Sequence, residues 1–339
     1  MKQNTTVEEE TVGRKKFPLW GKILLVLVAV LVAADLFISN YLVTYAIART
    51  GDAANRNVSL EVETPTDEAE AAIYAGKVAQ NALTEGFLSR VEEDPVSITS
   101  TDGLKLVGGC FRQEDSCLWA IVIHGNRGQH QNMYGSCQRF YDAGYNVLAP
   151  DMRSCGESEG DYVGMGWTDR KDVLQWIARI LEQDPQAQIV MYGASMGGAT
   201  TMMTAGEETP DNVKAFVEDC GYTSVWDIFS SELSLRFHLP EFPVLYTANL
   251  IAGVRAGWQF SQASCVEQLE NCEKPMMFIH GEQDDFVPYW MLQEVYDAKP
   301  GNNKVLLSVP GAGHDESKYI LGDEYWNQIF DFLDTYVDG

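Results

Sequence analysis

The rhythm of apolar and polar positions changes twice along the chain. After a polar start, residues 19–38 are almost unbroken hydrocarbon, with nine branched aliphatics among the ten residues from Ile23 to Val32. Wound as a helix, that stretch rises about 30 Å, the thickness of a bilayer's hydrocarbon core. Residues 50–67 are small, polar and acidic, the composition of a tether. Residues 68–90 return to apolar positions at helical spacing and read as a helix on the edge of a domain. From Val96 onward short apolar runs alternate with amphipathic stretches, as in βα units around a mostly parallel sheet. The pattern predicts strands over 96–100, 104–111, 119–124, 146–150, 189–194, 215–219, 275–280 and 304–309, and helices over 169–181 and 325–337. The expected fold class is α/β, with an eight-stranded, mostly parallel sheet that opens on a hairpin and is flanked by helices.

Charge orients the N-terminal segment. Lys2, Arg14, Lys15, Lys16 and Lys22 precede or open the apolar stretch, and only Arg49 and Arg56 follow closely. The positive-inside bias then leaves the N-terminus in the cytoplasm and the body outside. Asp35 falls near the outer end, where a charge costs least. A cleaved signal peptide is the competing reading, with Val32-Ala33-Ala34 as its cleavage point. The run LFISNYLVTYAI (residues 36–47) stays apolar and aromatic past that point, which suits an uncleaved signal-anchor helix leaving through an interfacial tyrosine belt. The expected organisation is a cytoplasmic tail (1–18), a transmembrane signal-anchor helix (19–48), a linker with an edge helix (49–95) and a catalytic body (96–339) carrying a small helical cap at about 222–273.

Composition narrows the partners. With 24 basic against 49 acidic residues the formal charge is −25. A surface of that sign repels phosphate backbones, so nucleic acid is not an expected partner. The 7 cysteines form no CxxC pair and no Cys/His cluster at zinc spacing, so no metal is expected. Cys110 and Cys117 flank a turn at Gln113-Glu114-Asp115 in an expected hairpin and are a candidate disulfide pair, as are Cys265 and Cys272. The alternative is that all are buried thiols.

The chemistry gathers at Gly193-Ala194-Ser195-Met196-Gly197, between the apolar run Ile189-Val190-Met191-Tyr192 and the small residues Gly198-Ala199-Thr200. A strand before it and a helix after it make this a nucleophile elbow, which holds Ser195 in a strained turn with its hydroxyl exposed. A serine hydroxyl needs a base, and the base needs a carboxylate to orient it. Of the 5 histidines, His314 lies in a glycine-rich loop after the last strand. The loop after His280 offers adjacent carboxylates in Asp284 and Asp285. His124 and His280, at strand ends before glycine, read as structural. His130 reads as an exposed loop residue, and His238 lies in the cap, against substrate or without a role. Asp151 and Arg153 read as braces for a loop near the site.

HGNRG (124–128), DMRSCGES (151–158), GASMG, HGEQDDFVP (280–288) and GAGH (311–314) occur in that order. With them the chain resembles the α/β-hydrolase superfamily over roughly residues 96–339. The likeness is to membrane-anchored bacterial members, in the branch with serine aminopeptidase-like and prolyl-oligopeptidase-like enzymes. The resemblance implies the α/β-hydrolase fold, a triad of Ser195, Asp284 and His314, and an oxyanion hole made by the backbone N–H groups of Asn126 and Met196. It implies no cofactor. The aromatic-rich insertion at 222–273 is expected beside the pocket, leaving a fairly open site. The expected activity is hydrolysis of small or lipid-derived carboxylic esters. A peptidase on the same triad and an inactive surface protein that binds ligands in the pocket are the alternatives.

Overall fold

The computed structural model describes residues 18–49 and 68–338. The expected tail, apart from Pro18, and the expected tether lie outside the described residues. The first helix, α1 (Leu19–Ile47), runs 29 residues, about 43 Å. It continues past residue 38 because nothing between Ile38 and Ile47 breaks a helix and its last turns gain partners on the body. Helix α2 (Glu68–Leu88) packs along the domain edge, its Gly76 so close to the Tyr319 backbone that a Cβ would lie 2.4 Å from the carbonyl oxygen.

All eight expected strands are present, each within two residues of its expected limits. They are β1 (Asp94–Thr99), β2 (Lys105–Phe111), β3 (Leu118–Ile123), β4 (Asn146–Pro150), β5 (Gln188–Ala194), β6 (Val213–Asp219), β7 (Met276–Gly281) and β8 (Lys304–Val309). They form one sheet in the order β1-β2-β4-β3-β5-β6-β7-β8. β1 pairs with β2 and β2 with β4 antiparallel, and the other pairings are parallel. This is the α/β-hydrolase fold with an N-terminal apolar helix. Because β3 lies between β4 and β5, the connections leaving β3 and β5 diverge, and the crevice between their carboxyl ends is where open α/β sheets bind ligands.

Alternation along the buried strands builds two cores. Ile121, Ile123, Ile189 and Met191 point to one face, with Val173, Trp176 and Ile177 of α4 (Asp169–Gln183). Ala120, Val122, Val190 and Tyr192 point to the other, against Phe140 of α3 (Tyr134–Asp142) and Trp326 and Ile329 of α11 (Asp323–Leu333). The period of two delivers each strand to both layers. Between these elements lie α5 (Met196–Ala205), α8 (Cys265–Leu269), α9 (Trp290–Ala298) and α10 (Ser317–Leu321), and the inserted region supplies α6 (Val225–Phe237) and α7 (Val244–Ala256).

The last three turns of α1 belong to the body. Ser39, Val43 and Ile47, at a spacing of four, are buried. Beyond them Val163 N–H donates to Ile47 O at 2.7 Å and Arg49 N–H to Asp161 O at 2.8 Å, so the chain leaves the helix as a short strand stitched to the loop at 161–163. Asp35, expected near the outer end of the span, accepts from Thr247 Oγ1 of α7 at 2.6 Å.

Two expectations need correction. The turn after β2 does not close a hairpin with β3, because β4 lies between them. Strands two places apart are about 9.5 Å away, beyond the roughly 7 Å a disulfide can bridge. All 7 cysteines are thiols, Cys265 and Cys272 included. His130 is not an exposed loop residue. It is buried, with Nδ1 2.8 Å from Asp151 Oδ1 and Nε2 3.0 Å from Glu93 Oε1.

Candidate active site

Ser195 sits between β5 and α5 with φ 57° and ψ −120°, a backbone that side chains rarely adopt. The two motif glycines explain how the turn is tolerated. A Cβ on Gly193 would lie 2.1 Å from Gly197 O, and one on Gly197 would lie 2.1 Å from Ile123 O. No larger residue fits at either position, so the strand, the turn and the end of β3 press together and push the serine outward.

His314 stands on the loop after β8, and Asp284 on the loop after β7. His314 Nε2 is 2.9 Å from Ser195 Oγ, and its Nδ1 is 2.7 Å from Asp284 Oδ2. Asp284 Oδ1 accepts backbone N–H bonds from Phe286 at 2.9 Å and Val287 at 2.8 Å. Burial alone would raise the Asp284 carboxyl, but hydrogen bonds from His280 and His314 outweigh it and hold the group well below the usual carboxylate range. An ionised carboxylate only accepts, so the His314 proton sits on Nδ1 and the Nε2 lone pair faces the serine hydroxyl. Asp285, the neighbouring carboxylate, makes no such contact with His314.

The loops around the three side chains are braced by groups expected to be structural. His124 Nδ1–H donates to Gly125 O at 2.7 Å and Nε2 accepts from Met152 N–H at 3.0 Å. That bond ties the loop after β3 to the loop after β4. A Cβ on Gly125 would stand 3.4 Å from Ser195 Cβ, and Asn126, next along, lines the cavity with Ser195 and Met196. Met196 opens α5, whose first N–H groups have no partner inside the helix. Asp151 accepts from the backbone of His130 and Glu157, and Arg153 bonds Asp172 and Asp102. His280 lies behind the acid, its Nε2 2.9 Å from Val287 O and 3.2 Å from Asp284 Oδ2. His238 ends α6 in a left-handed backbone and does not line the cavity.

A family comparison fits this geometry. The prolyl oligopeptidase family matches residues 132–339. The chain belongs to that family. Among relatives, it is 25% identical over 250 residues to the uncharacterized protein YqkD of Bacillus subtilis (strain 168), covering 74% of this chain and 82% of that one. It is also 25% identical over 242 residues to the uncharacterized membrane protein YNL320W of Saccharomyces cerevisiae, covering 71% and 79%. Among solved structures, the Pyrococcus furiosus esterase Pf2001 superposes with a TM-score of 0.60 at 23% identity, over 74% of this chain and 95% of the esterase. The Pyrococcus horikoshii acylaminoacyl peptidase gives 0.58 at 18% identity, over 76% and 44%. This family member thus has an esterase and an acylaminoacyl peptidase among its structural neighbours.

Within this family member the cavity at Ser195 is lined largely by hydrocarbon. Ile228, Phe229 and Leu233 come from α6, Val244 and Ala248 from α7, and Phe286 from the acid loop. The one acidic residue in the lining, Glu232, is ion-paired with Arg236. Leu42, Tyr45 and Ala46 of α1 complete the wall, and Tyr45 meets Phe237 edge-on with ring centroids 5.6 Å apart. This wall is absent from the sequence expectation of a fairly open site. A signal was present: Asp35, Ser39, Asn40 and Thr44 form a polar stripe on an otherwise apolar helix, which marks a side facing protein. Among the described residues Cys220, Asp284 and His314 bring metal-ligating atoms within 4.8 Å of one another. Asp284 and His314 are committed to each other, and burial raises the Cys220 thiol well above its usual range.

Proposed function

We propose that this chain is a membrane-anchored serine hydrolase that cleaves carboxylic esters through an acyl-enzyme on Ser195. The observation that carries the reading is the continuous relay from Asp284 Oδ2 to His314 Nδ1 at 2.7 Å and from His314 Nε2 to Ser195 Oγ at 2.9 Å. His314 takes the serine proton as Oγ attacks the ester carbonyl carbon. The backbone N–H groups of Asn126 and Met196 stabilise the oxyanion. His314 then gives its proton to the departing alcohol, and water activated by the same imidazole releases the acid. Asp284 holds the tautomer throughout. His280 is a positioning residue, which reaches the chemistry only through Asp284.

An ester is favoured over a peptide because the cavity walls are apolar and Glu232, the lining carboxylate, already has a cationic partner in Arg236. A peptidase is the second reading, supported by the family and by the acylaminoacyl peptidase neighbour. The exposed apolar face of α1 and the basic residues before it support anchoring with the N-terminus in the cytoplasm and the catalytic body outside.

The test is fluorophosphonate labelling and turnover of nitrophenyl esters and aminoacyl amides by the full chain. Ser195→Ala is expected to abolish labelling and turnover. Asp284→Asn, which sets the wrong imidazole tautomer, is expected to cost about 10⁴ in kcat, and Asp285→Asn less than about tenfold. Labelling that survives Ser195→Ala would remove the nucleophile assignment, and amide turnover above ester turnover would promote the peptidase.

A further inference from the structure

The membrane helix and the catalytic pocket share a wall. Leu42, Tyr45 and Ala46 of α1 and Val244, Leu245 and Ala248 of α7 face the cavity that holds Ser195. The opposite side of the α7 segment is bare. Phe242, Tyr246, Leu250 and Val254 are 73%, 50%, 63% and 89% exposed. Their spacing of four stacks them along one helix face. Contiguous apolar surface of this kind marks contact with a membrane or another protein.

Position selects the membrane. Ser39 Oγ of α1 donates to Val244 O at 3.0 Å, and Thr247 Oγ1 donates to Asp35 Oδ2 at 2.6 Å. These bonds fasten α7 to α1 where the span ends, at the level of residues 35–39. Before that level α1 presents exposed hydrocarbon, from Leu19 and Ile23 to Val32. If residues 19–38 fill the hydrocarbon layer, α7 lies at its outer boundary, where an apolar helix face sinks about 5–10 Å into the lipid. At the far end of α7, Arg255 Nη1 binds Asn40 Oδ1 at 2.9 Å and Thr44 Oγ1 at 2.8 Å, polar groups beyond the span. The bare stripe on α7 is therefore carried by a helix fastened to α1 at the outer end of its exposed hydrocarbon.

We propose that α7 lies in the outer boundary of the bilayer beside α1, and that the pocket draws its substrate, a long-chain acyl ester resident in the membrane, directly from the lipid. This rests on the ester-hydrolase reading above and names the substrate class for the same site. The acyl chain passes from lipid into a cavity walled by the two membrane-facing helices. Ser195 Oγ bonds to the carbonyl carbon, the ester C–O bond breaks, and the alcohol leaves with the proton from His314. Water then cleaves the acyl-enzyme to a fatty acid and restores the serine.

The experiment uses the full chain in ether-linked phosphatidylcholine vesicles, which hold no carboxylic ester of their own. It compares hydrolysis of oleoylglycerol in the vesicles with that of nitrophenyl acetate in the surrounding water. For the double variant Leu250→Glu, Val254→Glu, the oleoylglycerol rate is expected to fall about tenfold or more while the acetate rate stays within about twofold, because carboxylates on the lipid-facing stripe resist immersion. An oleoylglycerol rate equal to wild type would overturn the proposal. A wild-type chain that turns over acetate but not oleoylglycerol would also overturn it, yet leave the ester-hydrolase reading standing. Turnover of neither ester sinks both. Equal loss on both substrates would mean a damaged body, and a Leu250→Cys variant carrying an environment-sensitive fluorophore then decides. Quenching by nitroxide-bearing lipid supports immersion, and quenching by aqueous iodide alone overturns it.

Discussion

At the scale of single residues, the most consequential pairing outside the site is His130 between Asp151 and Glu93. Burial works against its charge, but hydrogen bonds to the two carboxylates prevail and raise it from 6.5 to about 9, while both acids are lowered. A group raised on folding contributes its full stability below its unfolded value, about 6.5, and loses it as pH climbs through its folded value, about 9. His130→Gln is therefore expected to cost on the order of 2–3 kcal/mol near pH 6.5, with a gap that shrinks by about pH 9.5. Thermal denaturation of both proteins at the two pH values checks it, and an unchanged gap would mean that packing, not charge, is what the residue supplies. The same residue shows the limit of local reading. In the sequence His130 is one polar residue in a polar stretch, because nothing nearby reveals that Glu93, just before β1, and Asp151, just after β4, return to it. Ser195, by contrast, was readable, since the glycines that permit its backbone stand within two residues of it.

At the scale of elements, the strands were readable and one helix was only half so. Buried parallel strands are short apolar runs bounded by turn residues, and β3 to β7 keep that signature with no tertiary help. Helix α1 carries two signals on one continuous cylinder. Its first half reads as a membrane span, and its second half is part of the wall of the cavity at Ser195. A fragment beginning near Thr50 would remove Leu42, Tyr45 and Ala46 from the cavity and uncover the buried side chains they sit beside. Losing the burial of Val43 and Ile47 alone is worth about 3–6 kcal/mol. Such a fragment is expected to denature at a lower temperature and to show a raised KM for long-chain esters, with acetate esters affected less. Calorimetry and a chain-length series check both. An unaltered chain-length profile would show that α1 does not shape the acyl site.

At the scale of the whole molecule, the anchoring proposed above would bring a formal charge of −25 to a membrane surface. An acidic body held against anionic headgroups is repelled, and the repulsion is screened once the Debye length falls to about 8 Å near 0.15 M salt. Turnover of a vesicle-borne ester in trans, from enzyme vesicles to substrate vesicles, is expected to be slower on anionic than on zwitterionic vesicles at about 0.01 M salt, with the difference closing near 0.15 M. Rates on the two vesicle types across a salt series check it. By itself the sequence determined the α/β order of elements, the apolar helix, the elbow and the loops that carry His314 and Asp284. Each of these is written in contiguous residues as a period, a composition or a short motif. Only the tertiary structure decided that β4 separates β2 from β3, that His130 is buried between two acids, and that α1 walls the pocket. Those facts depend on which distant segments become neighbours, and a hydrophobic pattern states that a face is to be covered without saying by what.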